Sequence, residues 1–182
     1  LLCFSNYSWN FELAYKFALL AKYQKKNLIT IFGGPNFPTE QSEKLEFLQN
    51  RPAIDFYAEQ EGEIGFVDIV KSLIEYSFDV NKLKKHGKSI LNTSYICGEQ
   101  IITGLTERIK NINEIQSPYL TGVLDEFFDL PLHPMIETTR GCPFSCTFCT
   151  DGLAIKNRVS RFDSQRTKEE LIYIAKKIKK TD

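Results

Sequence analysis

Three cysteines, Cys142, Cys146 and Cys149, fall close together in the stretch ETTRGCPFSCTFCTDG, residues 137–152. Thiols crowded this closely share a metal or a disulfide, and three is an awkward number for either. A structural zinc site takes four Cys or His ligands in paired short spacings. Here no second CxxC exists, and only His86 and His133 could complete a set. A reversible thiol switch is a further reading, and it would require lowered thiol pKa values. An iron–sulfur cluster suits the arrangement better, because soft thiolates favour such clusters and close cysteines can hold successive corners of one cubane. Three ligands for four irons leave one iron open, and an open coordination site implies chemistry.

The residues of this loop carry a resemblance. Cys142-Pro-Phe-Ser-Cys146-Thr-Phe-Cys149 resembles the CxxxCxφC pattern of the radical S-adenosylmethionine (radical SAM) superfamily, φ being aromatic. The resemblance implies that Cys142, Cys146 and Cys149 hold a 4Fe–4S cluster whose fourth iron chelates S-adenosylmethionine. One electron, from a donor such as flavodoxin or ferredoxin, would then yield a 5′-deoxyadenosyl radical that abstracts hydrogen from a substrate. The cofactors carry that hard step, and the protein orients them. By position Phe148 would sit beside the cluster and the adenine; its plainer reading is loop packing. The alternative function is a non-catalytic cobalamin- or nucleotide-binding module whose cysteine loop holds structural zinc.

The elements that must position this loop form an α/β chain. Leu1 to Ser5 reads as a short buried strand, and Phe11, Ala14, Phe17, Ala18 and Ala21 follow a helical period. The run NLITIFGG fits a strand covered on both faces. A turn and short helix follow in PNFPTEQSEKLEFLQN, then a strand in AIDFYAEQEGE, then a helix marked by Ile64, Val67, Val70, Leu73 and Ile74. This alternation predicts right-handed βαβ units and an open parallel sheet. SYICGEQIIT reads as a hairpin turning at Gly98-Glu99, and the Pro-bearing stretch after it reads as an ordered linker. Met135 to Thr138 is expected to be a strand leading into the cysteine loop. A last helix follows, with Thr167 and Glu170 as its capping box and Leu171, Ile174, Ala175 and Ile178 as its apolar face.

The expected domains are 1–78, the later part of a cobalamin-binding-like, flavodoxin-like sheet; 79–133, a hairpin and inter-domain linker; and 134–182, the first βα unit of a radical SAM partial TIM barrel. There the loop would lie at the C-terminal face, where barrel sites are built. The N-terminal part resembles the cobalamin-binding domain of radical SAM proteins that carry one. Ser5-Asn6-Tyr7 falls at that domain's SxL position, with Tyr for Leu, and Gly33-Gly34 matches its GG. The resemblance implies cobalamin near Ser5, Gly33 and Gly34; a tight strand-to-loop turn explains the glycines equally well. The family's DxHxxG segment has no counterpart here. Glu61-Gly62-Glu63 also matches the family, although acidic residues suit a helix N-terminus without it.

Composition excludes several classes. The chain has 182 residues, 23 basic and 23 acidic side chains, and 42% apolar residues. Balanced charge leaves no nucleic-acid footprint. No apolar run approaches the roughly 18 residues of a spanning helix. Five cysteines without a secretory signal predict a cytoplasmic protein with reduced thiols, of which isolated Cys3 and Cys97 read as core residues. Both ends look cut, and this chain by itself is not expected to turn over substrate. The substrate is not legible.

Overall fold

The computed structural model describes residues 1–149, 152 and 158–178. It divides into two compact units, Leu1–Ile109 and Lys110–Asp182.

The first unit begins as read. Strand β1 (Leu2–Ser5), helix α1 (Phe11–Gln24), strand β2 (Thr30–Gly33), helix α2 (Gln41–Gln49), strand β3 (Phe56–Ala58) and helix α3 (Gly62–Glu75) alternate along the chain. The first three strands are parallel and adjacent, with Ser5 opposite Gly33 and Gly33 opposite Ala58. A short helix α4 (Val80–His86) follows, capped by the Asp79 carboxylate accepting from the Lys82 amide and ended by left-handed Gly87. Strands β4 (Thr93–Cys97) and β5 (Gln100–Thr103) form the expected hairpin. The hairpin, grouped with the linker in the sequence reading, continues the sheet: β4 pairs antiparallel with β3. The sheet is therefore open and mixed, in the order β1-β2-β3-β4-β5.

Two apolar layers flank it. Phe11, Ala14 and Ala18 of α1 pack with Leu48 of α2 around Phe32 and Tyr57. Ile69 and Leu73 of α3 and Leu83 of α4 pack with Ile31, Phe56 and Tyr95. Removing each large side chain of this kind from water stabilises the fold by about 1.5–3 kcal/mol.

Two helix faces differ from expectation. On α1 the small residues Ala14 and Ala18 meet the sheet, and Phe17 points to solvent. Small side chains let the helix approach closely, and that approach rotates the bulky residue outward. On α3 the buried line is Gly65, Ile69, Ser72 and Leu73, while Val67 and Ile74 are exposed. Of the lone thiols, Cys3 is not a core residue but lies exposed on the outer strand, whereas Cys97 is half-buried and packs against the core.

In the second unit Met135–Thr138 runs outside regular structure. Pairing begins only at β6 (Thr139–Arg140), antiparallel to β7 (Ser160–Arg161). Helix α5 (Ser164–Lys177) then starts at Asp163, whose carboxylate accepts from the Gln165 amide. Asp163 thus replaces the expected Thr167 cap, and Thr167 instead donates its hydroxyl to the Asp163 carbonyl. Glu170 is held inward by Arg166 at 3.0 Å. Of the predicted apolar face, Ile174 is buried while Leu171, Ala175 and Ile178 are exposed. Two 3₁₀ turns, Ile112–Glu114 and Asp125–Asp129, hold α5. Arg166 donates to the Ile115 carbonyl, and Tyr173 and Lys177 converge on Asp125 at 2.6 and 2.7 Å. Among the described residues no helix is long and apolar enough to cross a membrane.

Candidate functional sites

The first candidate lies at the C-terminal ends of the parallel strands. In open α/β sheets this edge is where ligands bind. Parallel pairing brings the sequence-predicted residues together, since Ser5 and Gly33 are register partners on β1 and β2. Ser5 is exposed, and its hydroxyl accepts from the Asn10 side chain at 3.0 Å. Gly34 has φ +130°, and a Cβ there would lie 2.5 Å from the Asn6 carbonyl oxygen. A glycine is therefore required at 34 by the neighbouring strand end itself.

Asn6 organises this edge, and sequence reading passed over it. Its side chain is fully buried; Nδ2 donates to the Asn36 carbonyl at 2.7 Å and to the Tyr57 hydroxyl at 2.9 Å. Asn36 returns a bond to Asn6 Oδ1 at 3.0 Å, and Tyr57 donates to the Gly34 carbonyl at 2.9 Å. Every polar atom of the buried amide is thereby used, as burial demands. Burial holds the Tyr57 phenol well above its ordinary pKa, against the Asn6 hydrogen bond and with help from Glu59. The available signal was a polar residue directly after an apolar strand. Beside this network Tyr7 stacks on Trp9, ring centres 4.6 Å apart, and both are exposed.

The acidic turn after β3 proves to be an anchor. Glu59 accepts from Lys44 at 2.6 Å and from the Ser94 hydroxyl, joining β3 to α2 and β4. Glu61 accepts from the Ile109 amide at 2.6 Å and from Arg108 Nε at 3.1 Å. These carboxylates are buried and fully engaged in holding the fold.

The second candidate is the cysteine loop between β6 and β7. All three thiols are free; Cys142 is half-buried, and Cys146 and Cys149 are exposed. Successive turns wind the loop: the Cys149 amide donates to the Cys146 carbonyl at 3.2 Å, and the Gly152 amide to the Cys149 carbonyl at 3.0 Å. Any side chain at 152 would collide with the Cys146 backbone, so this turn requires a glycine. Before the loop, Arg140 and Glu137 form a two-pronged ion pair at 3.0 and 2.7 Å. Phe148 is 91% exposed and is not spent on packing. Among the described residues, no three His, Cys, Asp or Glu side chains are arranged to hold a metal ion. The histidines have other surroundings: His86 meets the Tyr76 ring edge-on. His133 lines an apolar cavity of about 250 Å³ with Tyr119, Leu124, Phe127 and Phe128.

The fold is that of an open α/β sheet unit followed by a cysteine-loop unit, and known proteins share it. No family model matches the chain. Cobalamin-dependent radical SAM methyltransferase TokK of Streptomyces tokunonensis is 29% identical over 181 residues, which is 96% of this chain and 25% of that protein. The 2-(S-pantetheinyl)-carbapenam-3-carboxylate methyltransferase of Streptantibioticus cattleyicolor is 31% identical over the same shares. An uncharacterized methyltransferase of Pyrococcus horikoshii, PH0819, is 29% identical over 87% of this chain and 33% of its own. Among solved structures, the cobalamin-dependent S-adenosylmethionine radical enzyme OxsB matches in fold with a TM-score of 0.66 at 19% identity. That match covers 96% of this chain and 23% of OxsB. The similarity thus extends over nearly the whole chain, to proteins named as methyltransferases, one of them as a cobalamin-dependent radical SAM methyltransferase. The chain spans about a quarter of the length of the first two of these relatives.

Proposed function

We propose that this chain is part of a cobalamin-dependent radical SAM enzyme, with Cys142, Cys146 and Cys149 holding a 4Fe–4S cluster. The carrying observation is the cysteine triplet at CxxxCxφC spacing, in a chain similar over 96% of its length to a protein named as a cobalamin-dependent radical SAM methyltransferase. The chemistry of the donor set suits the group, although the three thiols are not gathered around a common metal position among the described residues. Three free thiols on one wound loop offer soft ligands, and neither histidine of the chain is directed to a competing zinc site among the described residues. When bound, the cluster would supply one-electron cleavage of S-adenosylmethionine at its open iron.

The chain's own residues would bind and orient. The Gly152 turn fixes the backbone at Cys146, the Arg140–Glu137 pair braces the strand entering the loop, and exposed Phe148 offers a face for the adenine. Cobalamin would lie at the carboxyl edge of β1 and β2, against Ser5, Gly33 and Gly34, where the Asn6–Asn36–Tyr57 network fixes the surface. Methyl transfer is the reaction class that the relatives' names support.

Anaerobic reconstitution with iron and sulfide tests this reading. A brown protein absorbing broadly in the visible is expected, and Cys146→Ala should remain colourless. A colourless wild-type protein carrying one tightly bound zinc would contradict it.

A further inference from the structure

The turn between β1 and α1 carries two aromatic rings that the fold does not use. Tyr7 and Trp9 stack with ring centres 4.6 Å apart and planes 15° from parallel. Trp9 is 80% exposed, so the ring face turned away from Tyr7 is open. Neither ring belongs to the apolar layers that flank the sheet.

Polar bonds hold this turn. Asn10 Oδ1 accepts from the Tyr7 amide at 2.8 Å, and Asn10 Nδ2 donates to the Ser5 hydroxyl at 3.0 Å. The Asn10 and Phe11 amides both donate to the Tyr7 carbonyl, at 3.2 and 3.1 Å. The backbone under the stacked pair is therefore fixed and tied to Ser5, the last residue of β1. A ring plate arranged in advance loses little conformational freedom when a ligand covers it.

Place and chemistry select the ligand. The plate stands at the edge where open α/β sheets bind ligands. The proposed cobalamin site lies at the same edge, a placement on which this inference rests. Cobalamin carries two ring systems. Methyl and amide substituents crowd the corrin and hold a flat indole off its faces, whereas the base of the nucleotide tail is a planar heterocycle. A base stacked on an aromatic side chain gains roughly 5- to 150-fold in affinity.

We propose that Trp9, backed by Tyr7, is a specificity-determining residue of the cofactor edge. Its open face stacks on the planar base of the corrinoid's nucleotide tail. The plate thereby selects corrinoids that carry such a base over those that lack one.

Equilibrium dialysis of the chain against hydroxocobalamin and against cobinamide, which lacks the nucleotide tail, tests it. The wild type should bind cobalamin more tightly than cobinamide. Trp9→Ala should lose roughly 5- to 150-fold in cobalamin affinity and leave cobinamide binding unchanged. Trp9→Phe keeps an aromatic face and should keep most of the affinity. Circular dichroism should be the same for all three proteins, because the ring lies outside the core. Equal cobalamin binding by the wild type and Trp9→Ala overturns the inference and leaves the cobalamin site standing. An equal loss for both corrinoids also overturns it and assigns the ring to the corrin. A wild type that takes up neither corrinoid removes the cobalamin site itself, and this inference with it.

Discussion

Lys44 Nζ, on α2, lies 2.6 Å from Glu59 Oε2, at the end of β3, and both side chains are buried. The Ser94 hydroxyl takes the other carboxylate oxygen. One ion pair thus fastens a helix and the antiparallel hairpin to the last parallel strand. Removing one member of a buried pair leaves an uncompensated charge, at a cost of about 3–5 kcal/mol. Lys44→Met should lower stability by that order in urea denaturation, and the double variant Lys44→Met/Glu59→Gln should recover part of the loss. Additive effects of the two changes would show that the pair is not coupled.

Gly34→Ala should destabilise the first unit by about 2–3 kcal/mol, from positive φ and from overlap with the Asn6 carbonyl. Gly62→Ala is the matched control. A Cβ there meets nothing within 4 Å, at the first residue of α3, so a change of under about 0.5 kcal/mol is expected. Equal denaturation midpoints for the two variants would remove the special role given to Gly34.

Alkaline pH should loosen the sheet. Burial pushes the Tyr95 phenol up to about 12, helped by charge on Cys97 and Tyr76, from an ordinary value of 10.0. A folded pKa above the unfolded one favours the protonated phenol in the fold. Its contribution is complete below pH 10 and is lost as pH rises through about 12. Tyr57 acts in the same direction. Stability measured in urea should therefore fall above pH 10, and less steeply in Tyr95→Phe. Tyrosinate absorbance in the near ultraviolet should lag that of the unfolded chain; coincident titrations would contradict the burial argument.

Local signals made β1 to α3 legible, because each element carries its own period and its own breaker. Gly33-Gly34 ends β2, and Gly98 turns the hairpin. Partners were not legible. That β4 joins β3 depends on residues 35 or more positions apart, Ser94 against Tyr57 and Thr93 against Ala58. The face of α1 was misjudged because hydrophobicity alone does not distinguish Phe17 from Ala18. Close packing on the sheet favours the smaller residue. The α5 cap went to Asp163 because carboxylates cap well wherever the strand before them ends, and Thr167 lies one turn further in. At the sites, register brought Ser5, Gly33 and Gly34 together as their strands implied. Asn6 and Tyr57 stayed hidden because their roles come from each other, across 51 positions of sequence.

Electron paramagnetic resonance of the reconstituted, reduced protein, before and after adding S-adenosylmethionine, tests the central claim most directly. About four irons and four sulfides per chain are expected. The signal should shift when the amino acid part of S-adenosylmethionine occupies the iron that the three cysteines leave open. The cluster should be lost in each of Cys142→Ala, Cys146→Ala and Cys149→Ala. A signal unmoved by S-adenosylmethionine, or a cluster that survives all three substitutions, would contradict the assignment of these thiols.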